Sequence, residues 1–105
     1  VDTVFDCRFL PNPYWIDELR DLTGLDPAVQ EYVRSMGLTG EFLRRIEDLF
    51  DLLLPAYVAE GKSLLTIGFG CTGGHHRSVT IVETVAEWLR SKGIEPRVRH
   101  RDISR

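Results

Sequence analysis

Residues 63–79, SLLTIGFGCTGGHHRSV, decide the fold of this 105-residue chain. An uncharged, largely apolar run over 63–70 leads into the loop residues 71–76, and a helical pattern begins at about Arg77. The run does not alternate between apolar and polar side chains, which is typical of a strand buried on both faces of a parallel sheet. The stretch therefore predicts a strand, a glycine-rich loop and a helix, the unit from which α/β folds are built.

The N-terminal part of the chain predicts one strand and two helices. Residues 3–10 are β-branched and aromatic, which favours a strand, and the prolines within 11–13 end it. Residues 14–22 predict a short helix. A clearer helix start follows at Asp26, because an aspartate caps a helix well and Pro27 fits its first turn.

The middle of the chain predicts a long helix over residues 41–60, where apolar residues follow the helical period most closely. Gly37 and Gly40 are expected to separate it from the helix before. Pro55 is expected to kink or end it, because proline cannot donate the backbone hydrogen bond, and Gly61 to finish it.

The C-terminal part predicts a helix over residues 77–92, closed by Gly93, and a third strand over residues 95–101. The helix has two apolar faces, so it is either sandwiched within the fold or in contact with a partner subunit. Taken together, the pattern predicts a single α/β domain over residues 1–105. Its small, mostly parallel sheet has at least three strands with flanking helices, and a glycine-rich anion loop follows the second strand.

Composition and charge narrow the class of protein. Residues 1–62 hold twelve acidic and six basic side chains, whereas residues 63–105 hold seven basic and four acidic ones. Eleven of the thirteen bases are arginines, which suit bidentate anion recognition. Two cysteines make no disulfide framework, so a cytoplasmic location is expected, and no apolar stretch suggests a membrane partner. Since the chain begins at Val1, we expect it to be part of a longer protein.

The loop between the second strand and its helix is the strongest candidate binding site. Glycines let the backbone approach a ligand closely, and a helix start adds positive potential. Arginine and hydroxyl side chains add donors for a phosphate or carboxylate. The alternative is that Gly73 and Gly74 only make a tight turn. The candidate ligand-binding residues of the loop are Thr72, Gly73, Gly74, His76, Arg77 and Ser78.

Two enzyme-like patterns overlap this loop. Cys71, five further residues and then Arg77 have the spacing of cysteine-dependent phosphatases, in which a thiolate attacks the phosphate. Such an enzyme also needs a general acid, for which Asp6 or Asp102 is a candidate. Residues 68–73 match a dinucleotide-binding glycine pattern, but no acidic residue follows at the required distance. We therefore expect no enzyme and no cofactor in this domain, with the phosphatase as the alternative.

Three other groups of residues, the cysteines, the histidines and the last arginines, are further candidates for function. Cys7 and Cys71 are either a redox pair or two small buried residues. The histidines lack the spacing of a metal site, so no metal is expected. The alternating arginines of the last strand either protect a sheet edge or contact RNA phosphates. The candidate RNA contacts are Arg97, Arg99 and Arg101.

Four stretches together resemble a known family. They are DCRFLPNP (residues 6–13), LTGLD (22–26), GCTGGHHRSV (70–79) and VRHRD (98–102), and the likeness extends over essentially the whole chain. They look like the C-terminal domain of the RapZ/YvcJ family of bacterial cytoplasmic proteins. The resemblance implies that an N-terminal nucleotide-binding domain, which would take ATP or GTP, is absent here.

The resemblance also implies a ligand and partners. A family member acts as an RNase adapter, and its C-terminal domain binds glucosamine-6-phosphate, contacts small regulatory RNA and helps to build a homo-oligomer. By position, the phosphosugar site would add Asp6, Arg8 and Asn12 to the loop residues. Tyr14 stands where the family has a histidine linked to the sugar site, and the basic tail is short. With these differences noted, the resemblance implies a phosphometabolite-sensing regulatory domain coupled to an RNA or protein partner.

Overall fold

The computed structural model describes residues 2–62, 64–70 and 76–100. Within these ranges a small parallel sheet packs against helices, which confirms the α/β class. Its two strands, Thr3–Asp6 and Ile67–Gly70, run in parallel, with Thr3 opposite Ile67 and Asp6 opposite Gly70. The elements are β1 (Thr3–Asp6), a short 3-10 helix (Pro13–Trp15), α1 (Pro27–Arg34), α2 (Gly37–Glu60), β2 (Ile67–Gly70) and α3 (Arg77–Ser91).

The predicted third strand is wrong over residues 95–100, because the sheet has two strands in the described part of the chain. Pro96 has no backbone donor for a ladder. His100 instead holds this segment on α3, with its Nε2 atom 2.8 Å from Oε2 of Glu83. Arg101, the last residue of the predicted strand, lies outside the described residues.

β1 is shorter than the predicted strand over residues 3–10. It ends at Asp6, and a turn follows in which the Leu10 amide donates to the Cys7 carbonyl at 3.2 Å. Asp6 helps to form this turn, because its Oδ1 atom accepts a hydrogen bond from the Arg8 amide at 2.9 Å. The Cys7 amide still donates to the Gly70 carbonyl at 2.6 Å, so strand pairing continues one residue further.

The predicted helix over residues 14–22 is wrong in length and type. A 3-10 helix covers only Pro13–Trp15, and Ile16 leaves it with extended backbone angles. In contrast, the predicted start of α1 is confirmed. Asp26 accepts a hydrogen bond from the Ala28 amide at 2.9 Å, with Pro27 in the first turn.

α2 begins earlier than predicted and does not end at its proline. Gly37 is its first residue, Gly40 lies inside it, and the break from α1 falls just before Gly37. Pro55 lies within the 24-residue helix. The predicted end at Gly61 is confirmed, since Gly61 has a φ of +94° that suits glycine and its amide caps the last turn.

α3 lies at the centre of the packing. Ile81 is fully buried and Trp88 packs partly against the core, so both apolar faces of α3 are covered within this chain. α3 contacts α1, α2 and β2. A smaller cluster joins Leu19 to α1. The main core consists of Cys7, Leu10, Ile46, Phe50, Ile81, Val85 and Leu89.

The lengths and apolar content of the helices also bear on membranes. Among the described residues, no helix combines the length and hydropathy that crossing a bilayer requires.

Candidate anion-binding site

The candidate site lies where β1 ends and α3 begins. Arg77, the first residue of α3, is only 5% exposed. Its Nη1 atom donates to the Arg8 carbonyl at 2.5 Å and to the Leu10 carbonyl at 3.3 Å. The guanidinium therefore fixes the turn after β1 against the start of α3, and brings the two predicted halves of the site together.

Asp6 and Arg8 form an exposed ion pair at this edge. Arg8 Nη2 lies 2.6 Å from Asp6 Oδ2, and Arg8 Nε lies within 3.0 Å of both carboxylate oxygens. The side chains are 67% and 55% exposed for Arg8 and Asp6 respectively. Hydrogen bonds from the Arg8 side chain and amide lower the pKa of Asp6 to about 2, and Arg77 contributes from nearby. In turn, Asp6 raises the pKa of Arg8.

Asn12 has a local structural role in the structure. Its Oδ1 atom accepts a hydrogen bond from the Tyr14 amide at 3.1 Å and so caps the 3-10 helix. Pro13, the next residue, is buried and anchors this helix to the fold. The half-buried Asn12 thus marks the point where the turn after β1 meets the 3-10 helix.

Two further predicted residues, His76 and Ser78, lie with Arg77 at the start of α3. Both are buried, at 7% and 6% exposure, so little of their side-chain surface faces solvent. The His76 carbonyl accepts the Thr80 amide at 3.0 Å, which begins the helical hydrogen bonding. The remaining loop predictions, Cys71, Thr72, Gly73 and Gly74, lie outside the described residues.

Gly24 supports the site and is not among the predicted site residues. A β-carbon at this position would lie 2.5 Å from the His76 carbonyl oxygen and 2.7 Å from the Thr80 amide nitrogen. Only glycine lets this loop pass so close to the first turn of α3. The carbonyl of Gly24 also accepts a hydrogen bond from Gln30 at 2.7 Å. The Thr-Gly pair before the Asp26 cap was the available sequence signal.

The segment after α3 presents the candidate RNA contacts that the structure describes. Arg97 and Arg99 are exposed, whereas Val98 and His100 are half-buried. Arg97 and Arg99 are therefore both open to solvent, although the segment is not a strand. Arg101 and Asp102 lie outside the described residues.

The described residues also bear on metal binding and on acid–base chemistry. Within residues 2–62, 64–70 and 76–100, no group of three histidine, cysteine or carboxylate side chains could hold a metal ion. A phosphatase acid must carry a proton at working pH. Asp6, with a pKa of about 2, is ionised at neutral pH. Cys7 is buried in the core.

Comparison with known proteins gives one consistent result. The sequence matches the RapZ C-terminal domain family over residues 1–104. It is 56% identical over 104 residues to a nucleotide-binding protein of Symbiobacterium thermophilum, covering 99% of this chain and 34% of that protein. A nucleotide-binding protein of Clostridium botulinum is 52% identical, covering 98% of this chain and 35% of that protein. One of Geotalea daltonii is 51% identical, covering 99% of this chain and 36% of that protein.

The chain thus spans about a third of the length of these curated relatives. The match includes the turn after β1, the Gly24 loop and the start of α3, which are the segments that build the candidate site. The chain belongs to the RapZ C-terminal domain family.

Proposed function

We propose that this chain is a regulatory domain that senses a phosphorylated amino sugar, glucosamine-6-phosphate first of all. The ligand binds at the edge formed by the end of β1 and the start of α3. The observation that carries the proposal is the exposed Asp6–Arg8 pair, which offers an anion and a cation side by side. An amino-sugar phosphate carries the complementary ammonium and phosphate groups.

The roles of the site residues follow from their chemistry. Arg8 keeps an exposed guanidinium, which can bind a phosphate while its backbone carbonyl is held by Arg77. The ionised Asp6 suits the amino group or hydroxyls of the sugar. The start of α3 adds positive potential for the phosphate. His76, Arg77 and Ser78, together with the loop residues Thr72, Gly73 and Gly74, complete the proposed binding set.

In this proposal ligand binding acts on a partner, and the exposed arginines after α3 are the surface that the partner contacts. Arg97 and Arg99 are exposed on the segment that His100 holds against α3. Phosphate contacts of small regulatory RNA suit such arginines, as in an RNase adapter. A protein partner and a homo-oligomer belong to the same proposal, and ATP or GTP would bind outside this domain.

The direct test is calorimetric titration of the chain with glucosamine-6-phosphate. Arg8→Gln removes the exposed cation but keeps the backbone carbonyl that Arg77 uses, so it is a safer variant than one at the buried Arg77. We expect binding by the unmodified chain and a loss of about tenfold or more for Arg8→Gln, since a charge-assisted hydrogen bond contributes roughly 1.5–3 kcal/mol.

A matched control comes from an equivalent pair on α2. Arg44 is exposed and forms an ion pair with Glu41, and neither residue belongs to the proposed binding set. Arg44→Gln should leave the affinity unchanged, because it removes the same kind of pair elsewhere. No heat with the unmodified chain, or the same loss in both variants, would refute the proposed site.

The same proposal is that the domain is not an enzyme. The rival is a phosphatase that uses Cys71 as nucleophile with Arg77 and a general acid. Incubation with an aryl phosphate separates the two, since we expect no release of the aryl alcohol. Turnover that disappears in Cys71→Ser would establish the phosphatase and overturn this part of the proposal.

A further inference from the structure

The 3-10 helix beside the site presents an exposed aromatic pair. Trp15 is 73% exposed and Tyr14 is 49% exposed. Their ring centroids lie 5.3 Å apart in an edge-to-face arrangement. Single exposed apolar side chains are ordinary on a protein surface, but two adjacent large aromatic rings held in contact are a less common feature.

This pair is held in place by its surroundings. The Arg20 guanidinium lies 5.1 Å from the centre of the Tyr14 ring, and its Nε atom donates to the Tyr14 carbonyl at 2.9 Å. The Asn12 cap and the buried Pro13 fix the 3-10 helix beneath the rings. We call the Tyr14–Trp15 pair the aromatic platform. Because its backbone is already held in place, the platform loses little conformational freedom when a ligand binds.

The platform is also next to the candidate site in the fold. The Trp15 amide donates to the Asn12 carbonyl at 3.2 Å. Trp15 therefore lies one helical turn from Asn12, which is a predicted ligand-binding residue. The turn from Arg8 to Leu10, which Arg77 fixes, leads directly into Asn12. Arg8 and Asn12 thus lie seven and three residues before Trp15 in the chain, and this short connection is what places the aromatic pair beside the site.

The chemistry of the exposed ring points to the part of the ligand that it contacts. Aromatic faces carry partial negative charge and attract the weakly positive hydrogens of C–H groups. A pyranose ring presents such hydrogens together on one face, whereas a short acyclic phosphate does not. Arg20 already packs over Tyr14, and Trp15 keeps nearly three-quarters of its surface in solvent.

We propose that Trp15 is the stacking surface for the sugar ring and makes the site prefer cyclic sugar phosphates to acyclic ones. The inference rests on the proposed function, because it assigns a specificity-determining residue to the same site. In this inference the phosphate is bound by the other residues of the site. The indole therefore affects the choice between ligands and not the binding of phosphate itself.

The experiment compares three probes by calorimetry: inorganic phosphate, glycerol-3-phosphate and glucosamine-6-phosphate. For Trp15→Ala we expect about a tenfold loss of affinity for glucosamine-6-phosphate, in line with the strength of an aromatic contact together with its buried area. Affinity for glycerol-3-phosphate should not change. Trp15→Phe keeps an aromatic face and should retain most of the preference.

Val58→Ala is the matched control, because Val58 is 75% exposed on α2 and lies outside the site. It should leave all three titrations unchanged, and thermal unfolding should show that all three variants fold. A Trp15→Ala variant that binds glucosamine-6-phosphate as well as before, or loses both organic phosphates equally, would overturn the inference alone. If none of the probes binds the unmodified chain, the proposed function itself fails.

Discussion

Asp6 and Arg8 lie two residues apart at the end of β1, and each satisfies the charge of the other while remaining more than half exposed. Such a pair contributes little to stability, because water screens it. Its consequence is chemical, since it keeps the carboxylate ionised and holds both charges at one place on the surface. This suits a ligand that carries both signs of charge, and it does not suit a proton donor at neutral pH.

The pKa of Asp6 gives a prediction at this scale. Arg8 lowers the pKa of Asp6 to about 2 from an ordinary value of 3.8, so the pair contributes fully above pH 4 and is lost as the pH falls through about 2. A carboxyl-carbon NMR titration should find a midpoint near 2 in the unmodified chain. In Arg8→Gln the midpoint should rise towards 3.8.

Arg20→Gln is the comparison variant for this titration, because Arg20 bonds to Asp17 and not to Asp6. It should leave the Asp6 midpoint where it was. An Asp6 midpoint near 3.8 in the unmodified chain would show that the ion pair does not persist in solution.

At the scale of elements, the start of α3 is held from two sides. Arg77 bonds to the carbonyls of the turn after β1, and the loop at Gly24 packs against the first helical turn. Any ligand at this helix start therefore meets backbone that is already fixed. The prediction that Arg77 itself binds phosphate stays a prediction, and the structure adds that its guanidinium also positions the turn.

The contact at Gly24 gives a second prediction. Gly24→Ala places a β-carbon 2.5 Å from the His76 carbonyl oxygen, and backbone on both sides must move to make room. We expect a loss of roughly 1–3 kcal/mol in the free energy of unfolding, measured by urea denaturation. Gly40→Ala is the control, since a β-carbon there meets nothing within 4 Å inside α2. It should stabilise by about 0.5 kcal/mol, because alanine favours a helix. Equal effects at both positions would contradict the packing.

Helix boundaries set by neighbouring residues could be predicted from the sequence, and strand boundaries could not. The Asp26 cap and the Gly61 terminus depend on side chains within one turn, so the local pattern contains them. In contrast, β1 ends at a turn that Arg77 fixes from 69 residues away. A third strand needs a neighbouring strand for its hydrogen bonds, and the alternation over residues 95–100 gave only the exposure of the side chains. The same limit applies to Gly24, whose close neighbours come from α3.

For the whole molecule, the division of charge along the sequence corresponds to different surfaces. The acidic first part supplies the ion pairs of α2 and the end of β1, where arginines are paired with carboxylates. The basic second part presents Arg97 and Arg99 to solvent on the segment after α3. A polyanionic partner would be drawn to that segment and not to the face of α2.

RNA binding tests this division of charge. In the double variant Arg97→Gln/Arg99→Gln, affinity for a small stem-loop RNA with an unpaired tail should fall. The slope of log affinity against log salt should shrink by about 1.4, because each lost phosphate contact contributes about 0.7 for single strands. Fluorescence anisotropy over a series of salt concentrations measures both the affinity and the slope.

Arg44→Gln/Arg45→Gln removes two exposed arginines from α2 and is the matched control, since it makes the same change in net charge. If both double variants weaken RNA binding equally, the RNA responds only to the net charge of the chain. If the unmodified chain binds RNA without salt dependence, the binding does not depend on phosphate contacts. Either result removes RNA from the proposed partners of this segment and leaves a protein partner.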